Sequence, residues 1–134
     1  MNGKLRRAFT LVEILLVIVI IGVLAGMLVA RLSGRMQEAK ITAAQGDIRG
    51  QFSLALDLFE GDTGRYPSED EGLKALMENP GIDGWKGPYL KSDLKPDPWG
   101  NAYVYRLDTE RPGMYVLNSA GPDGKTGSQD DIKQ

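Results

Sequence analysis

The first part of the chain is dominated by a long apolar run. Residues 9–30 carry a single charged side chain, Glu13. A helix of this length and composition is sufficient to cross about 30 Å of hydrocarbon. The basic residues just before the run are Lys4, Arg6 and Arg7. Because positive charge favours the cytoplasmic side of a membrane, we predict a membrane-spanning helix at 9–32 with a cytoplasmic N-terminus. An uncleaved signal anchor is the alternative interpretation of this run.

An amphipathic pattern follows the apolar run without an intervening turn. Its apolar residues recur at spacings of three and four; they are Ile41, Ala44, Ile48, Phe52, Ala55, Leu56 and Phe59. Such a stripe predicts that the same helix continues and packs against a small domain. Gly61 and the Asp62-Thr63-Gly64 turn end the pattern. We therefore predict that 33–60 is the amphipathic half of one long helix and that 61–134 is a globular head.

The sequence of the head predicts a small α+β arrangement. Ser68 and Glu71 have capping-box spacing and should begin a short helix that Pro80 ends. Residues 103–107 and 114–117 read as two strands separated by a polar turn. The predicted fold is thus a long N-terminal helix packed on a small antiparallel sheet. The aromatic residues between these elements are more typical of core packing than of a ligand cage; they are Trp85, Tyr89 and Trp99.

Composition excludes several functional classes. The chain has 16 basic and 18 acidic residues, for a formal charge of −2, so it lacks the basic surface that a nucleic-acid partner requires. It has no His and no Cys, and it contains neither a phosphate-binding loop nor a nucleophile elbow nor a zinc-ligand pattern. We predict no enzymatic activity. A small head without disulfides is expected to need another source of stability, such as a metal ion or oligomerisation.

The C-terminal stretch 119–132 combines acidic residues with glycines. Ca²⁺ takes six to eight oxygen ligands, which carboxylates and main-chain carbonyl groups on such a loop can supply. The predicted ligands are the side chains of Asp123, Asp130 and Asp131, with carbonyl groups near Ala120 and Lys125. The spacing is not that of an EF-hand. A solvated acidic tail is the alternative, and composition alone favours that alternative.

Several segments resemble the major pseudopilins of bacterial type II secretion systems. Phe9-Thr10-Leu11-Val12-Glu13 resembles the start that type IV pilin-like proteins share. The more specific segments are Gly64-Arg65-Tyr66-Pro67, Gly84-Trp85-Lys86-Gly87-Pro88-Tyr89-Leu90, Asp97-Pro98-Trp99-Gly100-Asn101 and Gly121-Pro122-Asp123-Gly124. The resemblance covers nearly the whole chain.

The resemblance implies roles for residues at both ends of the chain. A prepilin peptidase would remove the leader 1–8 between Ala8 and Phe9, and the new amino group of Phe9 would be methylated. Glu13 would pair with the Phe9 amine of an incoming subunit, because a lone charge in this setting costs about 2.5–3.5 kcal/mol on insertion scales. Glu13 reaching the membrane surface unaided is the alternative. The resemblance also favours Ca²⁺ at the C-terminal loop over a solvated tail.

The function implied by the resemblance is structural. The chain would be anchored in the inner membrane, with its head in the periplasm, and would polymerise into a pseudopilus that helps export folded proteins across the outer membrane. Its partners would be copies of itself, minor pseudopilins, an inner-membrane assembly platform and, before assembly, lipid. Two alternatives are a type IV pilin for adhesion, motility or DNA uptake, which the absence of Cys disfavours, and a membrane-anchored binding module that never polymerises.

Overall fold

The computed structural model of the chain describes residues 9–134. Its helical elements are α1 Leu11–Gly46, a π-helical turn Asp47–Phe52, α2 Ser53–Thr63 and a 3-10 helix Gly72–Leu76. Its strands are β1 Val104–Leu107, β2 Tyr115–Ser119 and β3 Ile132–Lys133. The predicted fold class, a long N-terminal helix with a small antiparallel sheet, is confirmed. The leader 1–8 lies outside the described residues.

The long helix is uninterrupted from Leu11 to Thr63 and is apolar enough over its first part to cross a membrane. It ends at Gly64, whose φ of 78° is left-handed and whose N–H donates to the Glu60 carbonyl oxygen at 2.7 Å. A left-handed glycine after the last helical residue is a common helix stop. Gly64 is the only part of the predicted stop that is confirmed, since Gly61, Asp62 and Thr63 lie within α2.

The helix widens at the π-helical turn Asp47–Phe52. Ala44, Ile48 and Phe52 precede or lie within this turn, and all three side chains are buried. The hydroxyl of Ser53 donates to the carbonyl oxygen of Ile48, five residues earlier, at 2.9 Å. The apolar stripe thus stays buried through the wider turn.

The chain divides into two compact units between Gln37 and Glu38. In the first unit, every described side chain from residue 9 to residue 36 is exposed. The second unit, Glu38–Gln134, contains a hydrophobic core. Its largest fully buried apolar side chains are Ile48, Phe52, Leu56, Phe59, Leu76 and Leu117. The predicted stripe on the amphipathic half of the helix thus supplies half of the buried residues of this core.

The sheet has the order β1-β2-β3, and both pairings are antiparallel. Val104 pairs with Asn118, and Leu107 pairs with Tyr115. These two strands were predicted, whereas β3, which pairs Ile132 with Ser119, was not. The buried Ile132 side chain brings the last residues of the chain to the core. As a result, 119–132 is a loop closed at both ends by strands, not a free tail.

The predicted capping box is present. The N–H of Ser68 donates to Glu71 Oε2 at 2.7 Å, and the N–H of Glu71 lies 3.3 Å from Ser68 Oγ. The helix that follows is a short 3-10 helix, Gly72–Leu76. It buries Ala75 and Leu76 in the core.

Candidate functional site

The loop 119–132 holds the three acidic residues that the sequence predicts as metal ligands. Two of them share a neighbour, because Ser128 Oγ lies 2.5 Å from Asp130 Oδ1 and 3.4 Å from Asp123 Oδ1. Asp123 also donates its N–H to Asp130 Oδ2 at 3.2 Å. These donors lower the pKa of Asp130, the Ser128 hydroxyl most of all. The fold therefore brings the Asp123 and Asp130 side chains together.

Asp131, the third predicted ligand, is bound on one side only. Its Oδ2 accepts the N–H of Gly127 at 2.8 Å and lies 3.4 Å from Asn118 Nδ2. Its Oδ1 is buried and has no hydrogen-bond partner within the described residues. An unpaired buried carboxylate oxygen carries a desolvation cost that a partner would offset. A hard cation such as Ca²⁺ is a partner of suitable chemistry.

The loop suits a calcium ion in the chemistry of its donors. Its carboxylates and carbonyl groups are the oxygen ligands that Ca²⁺ prefers. Across residues 9–134, no three acidic side chains converge closely enough to hold a metal ion by themselves. The predicted carbonyl groups of Ala120, which is buried, and Lys125 would therefore have to complete the set. Calcium at this loop stays a prediction.

Sequence reasoning missed a polar cluster at the start of this loop. Asp97 and Ser119 are both buried and hydrogen-bonded to each other. Ser119 Oγ in turn accepts the N–H of Gly121 at 3.0 Å. The available signal was the Asp97-Pro98-Trp99-Gly100-Asn101 segment, which carries part of the family resemblance. A carboxylate in a Pro/Gly turn is ordinarily exposed, so its burial could not be read from the sequence.

The start of α1 positions the second candidate site, Glu13. The N–H of Glu13 lies 3.2 Å from Thr10 Oγ1 and 3.1 Å from the Thr10 carbonyl oxygen, so Thr10 caps the helix. Glu13 lies in the first turn, where a negative charge interacts favourably with the helix dipole. Its side chain is exposed, as is that of Phe9. Thr10 was missed, although the Thr-x-x-Glu spacing is a capping signature. Ala8 lies outside the described residues.

The segments that carry the family resemblance hold the head together. Lys86 Nζ and the Tyr89 hydroxyl contact the two carboxylate oxygens of Asp62, at 2.8 and 3.0 Å. Trp85 Nε1 donates to the Ala75 carbonyl oxygen at 2.8 Å. The aromatic residues Trp85, Tyr89 and Trp99 are half-buried and pack against the core. The prediction of core packing for these side chains is confirmed.

Comparisons with known families match both parts of the chain. The family described as type II secretion system (T2SS), protein G matches residues 31–134. The prokaryotic N-terminal methylation motif matches residues 3–29. Together with the long apolar helix, this motif indicates membrane anchoring.

Individual relatives lead to the same family. The chain is 42% identical to the type II secretion system core protein G of Pseudomonas aeruginosa over 135 residues, covering 97% of this chain and 93% of that protein. It is 43% identical to the protein of the same name from Escherichia coli K12 over 131 residues, covering 95% and 89%.

A solved structure extends the agreement to the fold. The crystal structure of the major pseudopilin from the type 2 secretion system of enterohaemorrhagic Escherichia coli matches with a TM-score of 0.64 and 29% identity. The match covers 77% of this chain and 88% of that one. The chain therefore belongs to the protein G family of type II secretion systems, the major pseudopilins, whose members are structural subunits and not enzymes.

Proposed function

We propose that the chain leaves the membrane to polymerise through the first part of α1. The observation that carries this proposal is the exposure of every described side chain from residue 9 to residue 36. Lipid would cover this surface before assembly, and the same segments of neighbouring copies would cover it in a filament. Lipid tails are as apolar as leucine, so burying apolar side chains between helices gains little over lipid. Close packing between the helices has to supply the free energy of association. Gly22 and Gly26 have the small-xxx-small spacing that permits close approach.

Glu13 is proposed to select the register of each incoming subunit. Among residues 9–134, its carboxylate has no ion-pair partner within 4.0 Å, although its N–H is capped by Thr10. After removal of residues 1–8, the α-amine of Phe9 on the next copy would supply the missing cation. A paired charge is far better tolerated in apolar surroundings than two isolated charges.

The topology and partners follow from this proposal. The basic leader stays in the cytoplasm, and a prepilin peptidase cleaves between Ala8 and Phe9 and methylates the Phe9 amine. The head, residues 61–134, then lies in the periplasm. Minor pseudopilins and an inner-membrane platform would start and drive assembly, with energy from a separate ATPase. Growth of the pseudopilus would help export folded proteins across the outer membrane.

Calcium is proposed to order the C-terminal loop so that neighbouring heads meet correctly. Asp123, Asp130 and Asp131 would hold the ion, with the carbonyl groups of Ala120 and Lys125. The ion would supply positive charge where acidic side chains otherwise repel one another. The unpaired, buried Asp131 Oδ1 is the observation that supports this proposal.

The polymerisation proposal is tested by replacing Glu13. In cells that carry a complete secretion system, Glu13→Ala should abolish the ladder of cross-linked subunits and the sheared filaments seen by electron microscopy. Glu38→Ala is the matched control, because Glu38 is another exposed acidic residue of α1. Filaments at wild-type level from the Glu13→Ala chain would overturn the role of this carboxylate. Wild-type chains that stay monomeric would favour the non-polymerising binding module.

A further inference from the structure

Asp97 is a buried carboxylate outside the calcium loop. Its side chain is 3% exposed. Its Oδ1 accepts the N–H groups of Trp99 at 3.1 Å and Asn101 at 2.8 Å, and its Oδ2 accepts the hydroxyl of Ser119. A buried charge is tolerated when hydrogen bonds replace its water shell. These donors all hold the carboxylate between the turn before β1 and the end of β2.

Ser119 connects Asp97 to the loop through hydrogen bonds. The residue is fully buried. Its single hydroxyl proton is used in the bond to Asp97, so its oxygen can accept the N–H of Gly121, 3.0 Å away. The carbonyl oxygen of Gly121 faces the same turn, 3.5 Å from Asn101 Nδ2. The N–H of Gly121 is therefore held by Ser119, and its carbonyl oxygen lies next to the 97–101 turn.

Gly121 is where the two ends of the loop meet. Its φ is +66°, and a Cβ there would collide with the carbonyl oxygen of Asp130. The position of Gly121 therefore limits how closely the backbone that follows Ala120 can approach Asp130, which precedes Asp131. Ala120 supplies one proposed carbonyl ligand, and the two aspartates supply proposed carboxylate ligands.

We propose that Asp97, acting through Ser119, is a positioning residue for the calcium loop. Neither side chain would bind the ion. They would hold the backbone of 120–121 against Asp130 before the ion arrives, so that less ordering is needed on binding. This inference rests on the proposed calcium site. A purely structural role for the cluster would instead stabilise the head equally with and without calcium.

The test is calcium affinity, measured by competition with a chromophoric chelator on the full chain in detergent. Ser119→Ala should raise the calcium Kd about tenfold, as is typical when a group that orients metal ligands is removed. Ser68→Ala is the control: it removes a hydroxyl from the capping box, so it should lower Tm and leave the Kd unchanged.

The outcomes separate the two proposals. A wild-type chain that binds no calcium overturns the calcium site and this inference together. Wild-type binding with an unchanged Kd in Ser119→Ala overturns the positioning role alone. Should Ser119→Ala fail to fold, Asp97→Asn decides. Its amide NH2 group would donate to Ser119 Oγ, so the Ser119 hydroxyl proton would lose its present acceptor. Asp97→Asn with the wild-type Kd would then overturn the positioning role.

Discussion

Arg65 holds both carboxylate oxygens of Glu71. The distance from Nη1 to Oε2 is 2.8 Å and that from Nη2 to Oε1 is 2.7 Å, which is the strong two-bond geometry of guanidinium and carboxylate. The N–H of Ser68 donates to the same carboxylate. These donors, Arg65 first, lower the pKa of Glu71 from 4.5 to about 2. The pair joins the residue after the helix stop to the short 3-10 helix.

The Arg65–Glu71 ion pair predicts that the head is less stable in acid. The pKa of Glu71 is lower in the folded chain than the usual 4.5, so its contribution is fully present above that value and is lost as the pH falls toward about 2. Thermal unfolding of the wild type and of Glu71→Gln should therefore differ near neutral pH and converge in acid. Glu69→Gln is the control, since Glu69 is exposed. A difference between wild type and Glu71→Gln that is constant across this range would contradict the prediction.

The helix stop at Gly64 gives a second prediction. Gly64→Ala should destabilise the head by about 1–2 kcal/mol, because a side chain disfavours the left-handed backbone. Within residues 9–134, a Cβ at Gly64 or Gly61 would meet no heavy atom within 4 Å apart from its chain neighbours and the local helix backbone, so crowding does not contribute at either position. Gly61→Ala, inside α2, should stabilise by up to about 1 kcal/mol. Equal free energies of unfolding for the two variants, measured with denaturant, would refute this account.

Calcium removal is the third test. In the full chain in detergent, a chelator should lower Tm, because an ion that binds only the folded chain stabilises it. Asp131→Asn should abolish most of that difference, since it replaces the buried oxygen that has no partner in the described chain. Asp83→Asn, a change at an exposed acid outside the loop, should keep the full calcium response. Identical melting of the wild type with and without chelator would exclude the site.

Processing at the N-terminus is the fourth test. Intact mass of the chain extracted from membranes should correspond to residues 9–134 with one added methyl group. The same chain from a strain that lacks the prepilin peptidase should retain residues 1–8. Recovery of the full-length mass from the peptidase-positive strain would rule out cleavage between Ala8 and Phe9.

The helix and most of its buried face could be predicted from sequence because they depend on local periodicity. Ala44, Leu56 and Phe59 recur at helical spacing, and all are buried. The capping box was also predictable, since Ser68 and Glu71 are three residues apart. The widened turn was not, because it depends on how Ile48 and Phe52 pack against residues distant in the chain.

Features that depend on distant partners escaped the sequence analysis. Strand β3 comprises two residues, too few to show alternation. The burial of Asp97 depends in part on a distant donor, the hydroxyl of Ser119, 22 residues later. In the candidate loop, the acidic residues could be identified from the sequence. The unpaired oxygen of Asp131 could not, because its burial depends on the fold.

The widened turn also determines which residues lie on which side of the helix beyond it. Tyr103 donates its hydroxyl to Asp47 at 2.7 Å and stacks edge-on against Phe52. Both contacts are lost when the head unfolds, and a segment of this length keeps little helix without tertiary packing. The angular phase of the last helical turns is thus a property of the folded head, and amide exchange at Asp47–Phe52 would report on head folding.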